Sequence, residues 1–87
     1  MDTPALLAER HETHGNFTDV ACVTRTTQAI FRSAPNWKNL NAAQSVAIDM
    51  IAMKIARITC GDANVADHWA DIAGYARLAM SARIKKV

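Results

Sequence analysis

The stretch N-A-A-Q-S-V-A-I-D-M-I-A-M-K-I-A-R-I-T-C-G, from Asn41 to Gly61, decides the fold class. Ile48, Ile51, Ile55 and Ile58 recur at steps of three and four, the period of one face of an α-helix. Asn41 is a good N-cap type, because its side-chain oxygen can accept from an amide that the first turn leaves unpaired. Gly61 suits the left-handed position that ends many helices. The pattern predicts a helix over 42–59 whose isoleucine stripe faces a core.

Working outward, the downstream segment predicts a helix over 65–84. Asn64 and Asp67 resemble a capping box, and Trp69, Ile72, Ala73, Ala76 and Met80 fall on one side. Gly74 inside this helix costs stability relative to alanine and suggests a close approach by another helix or a ligand. Upstream, Val20, Val23, Ile30 and Phe31 support a helix over 17–33, stopped by Ala34-Pro35-Asn36. Thr3-Pro4 opens a short helix over 4–13, broken at His14-Gly15-Asn16. The expected fold is therefore all-α and four-helix bundle-like, one domain over 1–87, with short loops making neighbours antiparallel.

Composition agrees. Seventeen alanines against three glycines and two prolines favour helices over a many-turned β fold. A chain of 87 residues buries a modest core, so the bundle is expected to be completed as a homodimer or higher homo-oligomer. The net charge of +2 is too small to argue for nucleic acid. Arg77, Arg83, Lys85 and Lys86 read as cations on a helix end, with a phosphate or membrane patch as the alternative. No apolar run approaches the ~20 residues that span a bilayer, so no membrane role is expected. Cys22 and Cys60 stand alone, without zinc-ligand spacing, and read as reduced thiols of a cytoplasmic protein.

The densest chemistry lies on the last two helices. Asp67 and Asp71 are four apart and share a face, where their like charges repel unless a cation intervenes. Asp49 could meet them across a helical hairpin. Three carboxylates of this kind could hold Mg²⁺, a hard cation that takes oxygen ligands and keeps waters for a substrate. Lys54 and Arg57, three apart, could hold the phosphates of a nucleotide, and Tyr75 could stack on its base. The structural alternative is that Asp67 serves the helix N-terminus while Asp71 pairs with Lys54 or Arg57. Glu9, Glu12 and His14 form a second polar cluster that reads either as further metal ligands or as a solvated helix.

K-I-A-R at Lys54–Arg57, G-D at Gly61–Asp62 and D-H-W-A-D-I-A-G-Y-A at Asp67–Ala76 resemble a group of small phage and prophage proteins of unknown function. His14-Gly15-Asn16 and the Trp37…Leu40 turn share this resemblance. More distantly, Asp67 to Ile72 is similar to the acidic motif of MazG-like nucleotide pyrophosphohydrolases. That resemblance implies an all-α, oligomeric, Mg²⁺-dependent enzyme cleaving nucleoside triphosphates, with Asp67 and Asp71 on the metal and Asp49 on the preceding helix. The chain departs from that family by carrying a lone Asp49 where several acids stand. Glu9 or Glu12 of a second subunit could supply another.

Two functions follow as expectations. One is a Mg²⁺-dependent nucleotide pyrophosphohydrolase or a degenerate relative. The other is a non-catalytic phage protein that binds or sequesters a nucleotide, a nucleotide-like ligand or a host protein. An oligomeric structural component is a third, plainer reading.

Overall fold

Helix α1, Phe17–Arg32, begins where the Asn16 side chain accepts from the amides of Thr18 at 2.9 Å and Asp19 at 3.3 Å. A 3₁₀ turn, Trp37–Asn39, follows the Pro35 break. Helix α2, Ala42–Cys60, opens with a full capping box: Asn41 accepts from the Gln44 amide, and the Gln44 side chain accepts from the Asn41 amide. Helix α3, Ala66–Ser81, completes an all-helical chain without strands among the described residues. The computed structural model describes residues 13–83, so the helix expected over 4–13 lies outside the described residues. Three long helices, rather than the four of the expected bundle, make up the described fold.

The three helices form an antiparallel meander in which α2 packs against both α1 and α3. Hydrogen bonds tie the two ends. At one, the Asp62 amide donates to the Thr13 carbonyl at 3.3 Å. At the other, Asn41 Nδ2 donates to the Ala82 carbonyl at 3.1 Å. The molecule is elongated, 53 × 25 × 24 Å, with a radius of gyration of 15.0 Å. A compact domain of this length has a radius of about 12 Å.

Several local expectations are corrected. Gly61 is not left-handed; its φ is −121°. Its missing side chain serves packing instead, since a Cβ there would lie 2.6 Å from the Gly15 nitrogen. The left-handed glycine is Gly15, with φ at 82°. The Asn64–Asp67 box does not form. The Asp62 carboxylate accepts from the Asn64 amide at 2.8 Å, and Val65 is the N-cap with no side-chain cap bond. A Cβ at Gly74 would meet nothing within 4 Å, so no helix approaches it among the described residues.

The core is small-grained. Among the described residues the buried apolar ones are Val20, Ala47, Ala52 and Ala56, joined by the buried polar residues Thr24 and His68. The isoleucine stripe of α2 is only partly covered, because the alanines beside it make the closest helix contacts. Likewise α3 buries His68 while Trp69 and Met80 remain exposed. Small side chains let helix axes approach closely, but they withdraw little apolar surface from water.

Candidate functional site

The carboxylates singled out in the sequence go to separate partners. Asp49 and Lys54 are five apart on α2, which turns them about 140° from one another. Asp49 Oδ2 pairs with the Arg32 guanidinium of α1 at 2.8 Å, and its other oxygen is buried without a hydrogen-bond partner. Lys54 pairs with Asp71 Oδ2 of α3 at 2.9 Å. The Lys54 hydrogen bond holds the Asp71 carboxyl below its ordinary range, against an opposing desolvation. The charges of Lys54, His68 and Arg57 add to the lowering.

Asp67 is exposed in the first turn of α3, while Arg57 and Tyr75 are half-buried. Glu9 and Glu12 lie outside the described residues. Among the described residues no group of three or more His, Cys, Asp or Glu is placed to hold a metal ion. The structure thus joins Lys54 to Asp71 across the α2–α3 hairpin and turns Asp49 toward α1.

His14 belongs to a tightly made junction. Its ring meets His68 edge-on with centroids 4.8 Å apart, and its Nδ1 shares a hydrogen bond with the Thr13 hydroxyl. His68 Nε2 donates to the Thr13 carbonyl at 3.0 Å, the same oxygen that accepts the Asp62 amide. A carbonyl only accepts, so the hydrogen bond fixes a proton on Nε2. Beside it, Gly15 presses on the end of α2: a Cβ would sit 2.5 Å from the Cys60 carbonyl oxygen. This buried histidine positions backbone.

The other end of the molecule carries an open apolar groove of about 380 Å³. Phe31, Trp37, Leu40, Ile48, Ile51 and Ile55 line it, with Asn36 its polar exception. Proline ends α1 and lets the 3₁₀ turn bring Trp37 across the start of α2. The Arg32 guanidinium lies over the Trp37 ring, 4.8 Å from its centroid, which fixes the indole at the groove. Phe31 and Ile55 are exposed to 37% and 43%, so large side chains stand in water on its rim. Such a patch, without apolar cover among the described residues, marks an interaction site more often than a core.

A family model described as a domain of unknown function, DUF6378, matches residues 3–83. The chain belongs to the DUF6378 family. No curated protein and no solved structure matches it. The matched residues include both the glycine junction and the groove.

The residues of the groove are visible in the sequence of the DUF6378 domain, but with a different meaning. The stripe Ile48, Ile51 and Ile55 reads as a core face, and Trp37 as a core or interface anchor. Only packing reveals that alanines take the core. No described helix of the domain is long and apolar enough to cross a membrane.

Proposed function

We propose that this DUF6378 domain is a non-catalytic docking domain whose apolar groove takes the apolar face of a protein. The single observation behind this reading is the groove at Trp37. It is preformed, open and apolar, and one aromatic ring is already held in place by Arg32. Protein contacts concentrate their energy on such buried aromatic and aliphatic anchors.

The charged residues favour the same reading over nucleotide hydrolysis. A two-metal or one-metal hydrolase needs carboxylates converging on the ion. Here Asp49 is neutralised by Arg32 and Asp71 by Lys54. Of the two cations expected to hold a triphosphate, Lys54 is engaged with Asp71, and Arg57 alone is in no ion pair among the described residues. MazG-like, Mg²⁺-dependent pyrophosphate release is the competing proposal, with Asp49, Asp67 and Asp71 as its ligands.

One assay separates the two. Pyrophosphate release is followed from a panel of nucleoside and deoxynucleoside triphosphates with Mg²⁺. The docking reading expects no turnover above background at high protein concentration, for the wild type and for Asp71→Asn alike. Mg²⁺-dependent release that Asp71→Asn abolishes would overturn it.

A further inference from the structure

Helix α3 has two unlike sides. His68, Ile72, Tyr75 and Ala79 recur at helical steps and form the covered side, where α2 packs. Away from it Asp67, Ala70, Gly74 and Arg77 follow at steps of three, four and three, all exposed. No residue of α3 lines the groove.

Gly74 has no explanation within the chain. A glycine inside a helix costs stability relative to alanine. Packing among the described residues does not require it, since a Cβ there would meet nothing within 4 Å. A missing side chain on an open helix face lets a second helix approach closely.

The spacing on this face is symmetric and its charges are opposite. Asp67 and Arg77 lie five residues either side of Ile72, and Ala70 and Gly74 two either side. A second α3 laid antiparallel about that centre brings Asp67 to Arg77 twice and Ala70 to Gly74 twice. A parallel copy opposes Asp67 to Asp67 and Arg77 to Arg77. Within one chain the two charges are about 15 Å apart along the helix, too far to pair with each other. Neither is in an ion pair among the described residues.

The neighbouring charges leave that register intact. Asp71, at the edge of the face, is held by Lys54. Lys54 and Arg57 belong to α2, on the covered side of α3. The Arg83 guanidinium donates to the Met80 carbonyl at 2.7 Å.

Apolar cover follows the same register. Trp69 and Met80 are eleven apart along one flank of the face and exposed to 54% and 58%. Ala73 and Ala76 lie between them, both exposed. The antiparallel copy sets each indole on the other's Ala73 and Ala76, a small-residue seat for an aromatic anchor.

We infer that α3 is the interface of an antiparallel homodimer, with Asp67 of each copy on Arg77 of the other and Ala70 on Gly74. The pairing leaves the groove open on both copies and stands apart from what the groove takes.

The test is sedimentation equilibrium of the full chain at low and high ionic strength, with circular dichroism as the folding control. The wild type is expected to dimerise and to weaken with salt. Gly74→Gln is the decisive variant. Its side chain enters open space in the single chain and collides with a neighbour only in the dimer. It is expected to weaken association about tenfold or more with the helix content kept. Asp67→Arg and Arg77→Asp are each expected to weaken the dimer about tenfold at low salt, because each turns two attractions into repulsions. The two changes in one chain are expected to restore it.

A monomer up to about 1 mM overturns the inference. So does a dimer indifferent to Gly74→Gln, or one that the paired charge exchange fails to restore. A dimer that Ile51→Arg breaks while Gly74→Gln leaves it whole moves the pairing to the groove and overturns it as well.

Discussion

The two ends of this domain solve opposite problems. At one end, backbone crosses backbone. Gly15 and Gly61 leave no space for a side chain, and His68 donates across the junction to Thr13. At the other end, large apolar side chains line an open groove. The first end is fixed by contacts within the chain, where any added atom collides. The second has room and surface to spare. In a small helical domain, the well-specified end carries the fold while the under-filled end is free for a partner.

The sharpest way to break that comparison is to crowd the junction. Gly15→Ala puts a side chain on a residue with φ of 82° and drives it into the Cys60 carbonyl. The expected loss is about 2–4 kcal/mol, combining left-handed backbone strain with overpacking. Thermal unfolding would register this as a fall in Tm of about 10 °C or more. An unchanged Tm would mean the two strands of backbone are not in contact.

Gly74→Ala is the opposite case and the next in size. A Cβ there has nothing within 4 Å, and the position sits inside α3. Replacing this glycine is expected to stabilise the domain by about 0.5–1 kcal/mol through helix propensity. Chemical denaturation would detect this as a higher midpoint with the same slope. A loss of stability would reveal a packed surface at Gly74.

The smallest effect belongs to the hairpin ion pair. The Asp71 carboxyl titrates below its ordinary value because Lys54 donates to it. A lowered folded-state pKa means the pair contributes stability above the ordinary carboxylate range, roughly pH 4, and loses it as pH falls through the lowered value. Asp71→Asn should therefore lower the neutral plateau slightly and flatten the acid limb, so that variant and wild type converge at low pH. The effect is modest because the side chain is 47% exposed. An equally steep acid limb in the variant would show that other groups set it.

Much of the helical layout is legible in the sequence, because caps and breaks are local. Asn41, the Pro35 stop and the helical spacing along α2 place boundaries close to those observed: 17–33, 42–59 and 65–84 against Phe17–Arg32, Ala42–Cys60 and Ala66–Ser81. What a helix faces is less local. Ile48, Ile51 and Ile55 form a valid apolar stripe, but Ala52 and Ala56 decide the helix approach and turn the stripe partly to water. The Asp71–Lys54 pair is readable from the expected hairpin. The place of Asp49 is not, because its partner, Arg32, comes from α1 and depends on the rotation of α2. His68 gives no sequence signal as a buried residue, since its partner is a backbone carbonyl fifty-five residues away.

Hydrogen exchange of the full chain tests the contrast between the two ends most directly. The amides around Gly15 and Gly61 should be among the slowest to exchange, because their cover is within the chain. Those of the 3₁₀ turn and the start of α2, beside the groove, should exchange faster. Groove amides protected as strongly as those of the junction would contradict the account.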